Sequence, residues 1–488
     1  MTAIIEFYQQ HANEFPEKIA IQSLSEKITY RTWSERVNQT ANWLHSLSLP
    51  NHTVGILLPN GIPFLQLFTG AAAAGWTAVP LDLKWNHAEL TARLGLANPS
   101  IIITTNELHN EVVELHTNVW RWEDCLLEII QFPTIRPNLE LSHLPFYMGF
   151  TSGTTGKPKA FIRSQTSWAA SFDCSRLDFH ITKEDTVLIP GSLVHSHFLY
   201  GVISTLSIGG TVHLLEKFSS AQTVSLIDAE PITVLYVVPT MVAALLKEGR
   251  KIRKKIKFLS SGAKWEEHSK TEIRKLFLNL EMYEFYGASE LSFVSVLSDE
   301  DSKRKPNSVG KPCHNVEVQV RLLDGRLAGA NEPGKIYVRS SLIFAGYLDE
   351  RGDVKPFQQD ANGWMTVDDM GYLDEEGYLY ISGREKNMII YGGINIFPEE
   401  IERVIAIHPL VDEVAVFGLY DSYWGQIVTA VVKGNTTQKE LKKLCREHLS
   451  SFKIPRKWVF VEEFPHTVSG KIARAGVKQL LEGMVTSH

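Results

Sequence analysis

The stretch Thr151-Ser152-Gly153-Thr154-Thr155-Gly156-Lys157-Pro158-Lys159 packs four hydroxyls, two glycines and two lysines into one short run. The glycines let the backbone fold tightly, so that successive N–H groups point into one concavity and hold an anion. Hydroxyls and ammonium groups add the donors and positive charge that a triphosphate requires. The G-x-x-G-K spacing is two residues short of the G-x-x-x-x-G-K-[ST] loop, and no helical pattern follows at once, so this is not a Walker-type loop. A second group, Tyr283-Glu284-Phe285-Tyr286-Gly287-Ala288-Ser289-Glu290, closes a strand-like run with a ring, a glycine, a hydroxyl and a carboxylate. A purine needs a flat apolar surface, and Mg²⁺ bound to phosphates needs a hard oxygen ligand. Ser260-Ser261-Gly262-Ala263 is another small-residue turn at a strand end, where α/β sheets place ligands. Asp369 and Arg384 bracket a glycine- and acid-rich turn; a carboxylate suits a ribose diol, and an arginine a ribose or phosphate. Near the C-terminus, Ser469-Gly470-Lys471 offers a lysine on a glycine-hinged loop. Taken singly, each has an ordinary reading: a turn, a capping acid, a surface ion pair, an exposed lysine.

Strands alternating with helices must position these groups. Lys18–Gln22 and Ile28–Tyr30 read as strands, and Thr32-Trp33-Ser34-Glu35 as a capping box opening a helix to about Leu47. After the glycine-rich loop the alternation resumes through strands at Thr186–Pro190, Thr211–Leu215, Thr233–Val238 and Ile256–Ser260. This predicts an α/β protein whose large N-terminal domain, residues 1–384, holds parallel sheets covered by helices. Short strands with D-G and P-G turns from Glu317 to Arg339 predict a small β-rich subdomain within it. Gly383-Arg384-Glu385-Lys386 marks the expected boundary to a smaller α+β C-terminal domain, residues 385–488. Its first helix opens at Pro398, with Glu399, Glu400 and Glu402 at the positive end of the helix dipole.

With 488 residues, 44% of them hydrophobic, the chain can bury several cores, and a net charge of −6 leaves no nucleic-acid footprint. The basic run Lys247 to Lys257 reads as a solvated loop and helix end, with a CoA phosphate or an anionic membrane surface as the less favoured reading. Cys125, Cys174, Cys313 and Cys445 are scattered without a C-x-x-C pair, which fits a reducing cytoplasm better than a disulfide framework or zinc site. No signal peptide is visible. Between Arg36 and Asp82 the chain carries no charged residue, yet prolines and glycines break the stretch into pieces too short to cross a bilayer. A strand, a buried helix (Phe64–Ala74) and a strand account for it, in a cytoplasmic protein with room for an apolar interface such as a homodimer's or a peripheral membrane contact.

The motifs T-S-G-T-T-G-K-P-K, Y-G-A-S-E, G-R-E-K-N-M-I, Y-G-G-I-N-I-F-P-E-E-I-E and S-G-K-I, in this order, closely resemble the adenylate-forming superfamily of acyl-CoA synthetases, luciferases and peptide-synthetase adenylation domains. The resemblance covers nearly the whole chain. It implies an active site between a large N-terminal and a mobile C-terminal domain, with ATP, Mg²⁺ and coenzyme A as cofactor and co-substrates. The glycine-rich loop (Thr151, Ser152, Gly153, Thr154, Thr155, Gly156 and Lys157) would hold the β- and γ-phosphates, and Ser261, Gly262 and Ala263 would border the nucleotide. Tyr286 would stack on adenine beside Gly287 and Ala288, Ser289 would contact the α-phosphate, and Glu290 would bind Mg²⁺ with Thr151. Asp369 would hold the ribose hydroxyls with help from Arg384. Lys386 stands at the family's hinge, and Lys471 would bridge the substrate carboxylate and the α-phosphate. Two departures matter. Where the family usually has T-G-D this chain has Val367-Asp368-Asp369, so Asp368 competes with Asp369; and Ser289 stands where Thr is common.

The implied reaction joins a carboxylic acid to AMP with release of pyrophosphate, then passes the acyl group to CoA. Amino-acid-activating relatives carry an aspartate for the substrate amine after the glycine-rich loop; here Gly191-Ser192-Leu193-Val194-His195-Ser196-His197-Phe198 holds no acid. The His-Phe pair resembles the gate at the carboxylate end in acyl- and aryl-CoA synthetases, with His197 preferred and His195 behind it. A polar helix cap at Ser196 with exposed histidines is the ordinary reading. Phe198, Leu199 and Val202 suit a fatty-acyl chain and equally a buried helix face. The expected enzyme is an acyl-CoA synthetase for a fatty or other apolar acid. The alternatives are an aryl-acid (benzoate- or succinylbenzoate-like) CoA ligase or a carrier-protein ligase and, from another class, a luciferase-like oxygenase or a non-catalytic binding relative. Retained Lys471 and Glu290 speak against simple loss of catalysis.

Overall fold

The fold is that of a computed structural model, which describes residues 4–485 apart from 140, 142, 153–157, 263, 264, 266, 350, 392, 393, 422 and 467–471. The chain forms two compact units. The first holds Met1–Thr151, Pro158–Glu317 and Val338–Gly363; the second holds Val318–Tyr337 and Trp364–His488.

Two large sheets carry the first unit. One runs in the order Lys311–Pro312, Ser292–Leu297, Phe277–Ala288, Ile252–Ser260, Val234–Val237, Thr186–Ile189, Thr211–Leu214, Ile19–Gln22, Lys27–Thr29. Its inner strands are parallel, and antiparallel neighbours close both edges. The other runs Val354–Lys355, Gly346–Leu348, Pro158–Ser164, Pro145–Ser152, Thr77–Pro80, Thr53–Leu57, Ile101–Thr104, Val119–Arg121. Strands such as Ile101–Thr104 and Val234–Val237 are buried along their whole length, which is why they read as unbroken apolar runs.

The charge-free stretch resolves as the sequence predicts, into the strand Thr53–Leu57, the helix Ile62–Ala74 and the strand Thr77–Pro80. That helix is apolar on all sides because it is buried on all sides. Its 13 residues span about 20 Å at the usual rise, short of the roughly 30 Å hydrocarbon core of a bilayer. Among the described residues no helix is long and apolar enough to cross a membrane.

Two local expectations are corrected. The helix Tyr30–Ser46 is capped by Thr29, whose hydroxyl accepts from the Thr32 amide at 3.2 Å, so the hydroxyl one turn earlier is the cap. The strand Lys27–Thr29 ends there and hands its last residue to the helix. The basic run is the expected helix end (Pro239–Glu248) and exposed loop through Lys251, but from Ile252 onward it is the strand Ile252–Ser260 rather than more loop. Ile252 and Ile256 point inward, while Lys255 pairs with Glu281 at 2.7 Å and Lys254 donates to the Glu230 carbonyl at 3.0 Å.

A four-stranded sheet, most of whose residues belong to the second unit, is ordered Val316–Arg321, Gly334–Ser340, Asp369–Leu373, Leu379–Arg384. A single 3₁₀ turn, Glu385–Asn387, leads on to the C-terminal sheet. There Gly425–Gly434 pairs antiparallel with Val411–Asp421 and parallel with Lys457–Phe460. The helices Pro398–Ile405 and Gln438–His448 bury Ile401, Ile405 and Leu441 against Val416, Val428 and Val432. Pro398 is the first residue of its helix, as its missing N–H favours. The helix Arg474–Val485 covers Ala415, Phe417 and Val431 through Val477 and Leu481.

Candidate active site

The parallel strands of the nine-stranded sheet bring Val237, Ser260 and Glu284 into lateral register near their C-terminal ends. The residues next in the chain after each of them therefore emerge on one edge, the usual ligand edge of such a sheet. Ser261 donates from its hydroxyl to the Phe285 carbonyl at 3.2 Å, and Gly262 comes next at φ +89°. Glu284 is held from behind by Lys270, a buried ammonium 2.5 Å away, and accepts from the Trp265 amide at 3.2 Å. Residue 263 lies outside the described residues.

Tyr286 pairs with Ser295 across the antiparallel edge, and the ladder is irregular between Tyr286 and Gly287. The chain turns back so sharply that a Cβ on Gly287 would lie 2.0 Å from the Ser292 carbonyl oxygen. Only glycine fits there. Glu290 is tied twice: the Phe344 amide donates to its carbonyl at 2.9 Å, and the Tyr347 hydroxyl donates to its Oε1. Lys159, from the end of the glycine-rich motif, sits 5.2 Å from the centre of the Tyr347 ring. The Ser289 carbonyl accepts from Arg163 at 3.1 Å. Thus the strap 286–290, the strand Pro158–Ser164 and the segment 342–347 are knitted together. Thr151 lies near the end of the strand Pro145–Ser152 and makes no hydrogen bond to Glu290. Residues 153–157 lie outside the described residues, as does Lys471.

The ordinary reading of the histidine pair does not hold for His197. Its Nε2–H donates to the Val237 carbonyl at 3.0 Å, and Phe198, Tyr236 and Phe285 surround the ring with centroids 4.9, 5.2 and 5.6 Å away. Burial pushes its pKa down to about 4, so the imidazole is neutral at physiological pH. Nδ1 is then an acceptor, buried without a partner among the described residues. His195, at the N-cap of the helix Ser196–Ile208, is exposed and makes no capping bond. Phe198, Leu199 and Val202 are buried in the core.

In the second unit Asp369 and Arg384 are cross-strand partners, and Arg384 Nε meets Asp369 Oδ1 at 2.9 Å. Asp369 is buried, whereas Arg384 keeps half its side chain exposed. Asp368 is the exposed neighbour at φ +63°, a left-handed conformation that a glycine takes without strain and that aspartate tolerates better than most. It therefore stands in the conformation suited to the glycine of the usual T-G-D. Its carboxylate pairs with Lys335 at 3.2 Å, and Lys335 pairs with Glu385 at 2.6 Å.

Sequence reasoning missed Arg163, Tyr347 and Lys335. Tyr347 carries a faint signal, a lone tyrosine after glycine in an apolar run; the two cations carry none, because an isolated charge reads as exposed.

No group of three or more histidine, cysteine or acidic side chains able to hold a metal occurs among the described residues. A single carboxylate at Glu290 fits Mg²⁺, which keeps waters and phosphate oxygens in its shell and needs few protein ligands.

Comparison with known proteins agrees with this architecture. The family described as AMP-binding enzyme matches residues 8–348, and the AMP-binding enzyme C-terminal domain matches residues 400–471. An uncharacterized acyl–CoA ligase of Bacillus subtilis (strain 168) is 50% identical over 484 residues, covering 98% of each chain. A 2-succinylbenzoate–CoA ligase of Bacillus cereus (strain AH820) is 28% identical over 496 residues, covering 99% of this chain and all of the other. The structure of O-succinylbenzoate coenzyme A synthetase (MenE) from Bacillus subtilis, in complex with ATP and magnesium ion, superposes with a TM-score of 0.86. It is 28% identical and is covered to 99%, against 97% of this chain. The chain thus belongs to the AMP-binding enzyme family, the adenylate-forming superfamily that its motifs resemble, and is an acid–thiol ligase of the AMP-forming kind.

Proposed function

We propose that the protein is an aryl-acid CoA ligase, which activates an aromatic carboxylic acid of the 2-succinylbenzoate type as its adenylate and transfers it to CoA. This replaces the fatty acid expected from the apolar neighbours Phe198, Leu199 and Val202, which the structure buries in the core. The observation that carries the choice is the neutral His197 ring set among Phe198, Tyr236 and Phe285 at the sheet's ligand edge. Flat rings pack well on such edges and faces. The relatives named for 2-succinylbenzoate, matched over their whole length, support the same choice.

In the first step a carboxylate oxygen attacks the α-phosphorus of ATP, and the bond to pyrophosphate breaks. In the second the CoA sulfur attacks the acyl carbon, and AMP leaves. Both partners of the first step are anions, so the protein's task is alignment and charge neutralisation. Tyr286 offers adenine a face, Ser289 a hydroxyl for the α-phosphate, and the glycine-rich loop donors for the outer phosphates. Bound Mg²⁺, held by Glu290, would neutralise phosphate charge as a Lewis acid. Neutral His197 cannot act as a cation toward the acid; it shapes the site and leaves Nδ1 as an acceptor.

Pyrophosphate release across a panel of aromatic, fatty and amino acids, with and without CoA, tests the reading. Aryl acids should lead, and acyl-CoA should accumulate. Faster turnover of fatty acids than of every aryl acid would return the fatty reading, and activity only with a phosphopantetheinylated carrier would reassign the acceptor.

Asp369, buried and paired with Arg384, is the proposed ribose acid. Asp369→Asn should raise the KM for ATP about 10-fold or more, the loss expected for a charge-assisted hydrogen bond. Asp368→Asn should leave it within about twofold, as for an exposed ion pair. The reverse ranking of the two variants would hand the role to Asp368.

A further inference from the structure

Arg163 is a charge where the strand has no use for one. It comes after buried Ala160, Phe161 and Ile162 and is itself only 2% exposed. Among the described residues no carboxylate lies within ion-pair distance of it. Its guanidinium instead spans two main-chain carbonyls, donating to Ser289 at 3.1 Å and to Leu342 at 2.8 Å, while Nε is buried without a partner. Burial pulls its pKa down to about 10, and Glu290 is the carboxylate whose charge acts on it. Keeping an unpaired cation out of water is costly, so a purely structural tie between two carbonyls would be made more cheaply by a neutral amide.

The two carbonyls belong to segments that touch Glu290. Ser289 is its chain neighbour. Leu342 opens the run whose Phe344 amide donates to the Glu290 carbonyl and whose Tyr347 hydroxyl donates to its carboxylate. The same run is anchored to Arg163's own strand, since the Ala345 amide donates to the Ile162 carbonyl at 2.9 Å and Gly346 pairs with Ile162. The planar fork of an arginine can hold two carbonyls at a fixed separation, which a lysine cannot.

We infer that Arg163 is a positioning residue for the nucleotide: it locks the Ser289–Glu290 strap to the 342–347 run, so that the Ser289 hydroxyl and Glu290 carboxylate are set for phosphate and Mg²⁺. The inference rests on the adenylate-forming reading of those two residues, but not on which acid is activated.

Its test is ATP binding without any acid, measured by calorimetry with Mg²⁺ and again with EDTA, for Arg163→Met and Arg163→Lys. Loss of two charged-donor hydrogen bonds behind the strap should weaken Mg-ATP binding about 10-fold in the Met variant. The gain in affinity on adding Mg²⁺ should shrink as well. Arg163→Lys, which keeps the charge and one bond, should recover part of both. A lower melting temperature with wild-type Mg-ATP affinity in the folded protein would reduce Arg163 to a structural tie. Should the Met variant fail to fold, the Lys variant decides by the same measure. Failure of every acid in the panel would leave this measurement standing, so the two readings fail separately.

Discussion

Lys471→Ala should slow adenylation about 10²–10³-fold, the loss seen when one preorganised charge-stabilising donor is removed, while thioester formation from supplied acyl-adenylate stays near wild type. The lysine is expected to neutralise charge as the carboxylate meets the α-phosphate, a demand that has passed once the adenylate exists. The stretch Tyr391-Gly392-Gly393, of which residues 392 and 393 lie outside the described residues, is proposed from its small side chains to let a thin pantetheine arm pass. Ile389 and Tyr391 share one core with Ile401 and Val428, and the alternation proposed from the family resemblance has this C-terminal part turn about Lys386 between the half-reactions. Lys386→Pro restricts φ and removes an N–H in the Glu385–Asn387 turn. It should keep adenylation and lose thiolation, the opposite bias. The rates of the two half-reactions are read separately, from acid plus ATP and from synthetic adenylate plus CoA. Equal losses in both halves for Lys471→Ala would sink the alternation.

Gly287→Ala should lower kcat/KM for ATP about 100-fold or more, the effect of misplacing reacting groups by an ångström. The added Cβ would start 2.0 Å from the Ser292 carbonyl oxygen. Side chains cannot relieve a clash with backbone, so the whole turn must open by roughly an ångström. Tyr286 and Ser289 flank that turn, and the pairing of Tyr286 with Ser295 is next to it. A variant with wild-type ATP kinetics would show that the strap tolerates displacement and that nucleotide contacts lie elsewhere. A melting temperature near wild type together with the kinetic loss would place the damage in the site alone.

The sequence by itself determined the repeated strand–helix order, because periodicity and turn residues act over a few positions. Val234–Val237, Ile101–Thr104 and the buried helix Ile62–Ala74 are legible as apolar runs of the right length. It determined the family too, since the motifs keep their residue types and order whatever the packing around them. The candidate site was half legible: Tyr286, Ser289, Glu290, Asp369 and Arg384 stand out by chemistry and spacing. Tertiary structure alone decided which of two adjacent acids is buried, through the left-handed turn at Asp368 and the Lys335 beside it. It also turned the second half of a basic run into an inner strand, because partners such as Glu281 and the Glu230 carbonyl come from distant segments. Arg163 shows the limit most plainly. Its two acceptors lie 126 and 179 residues along the chain, and no local pattern can tell a charge that meets water from one that folding encloses between two carbonyls.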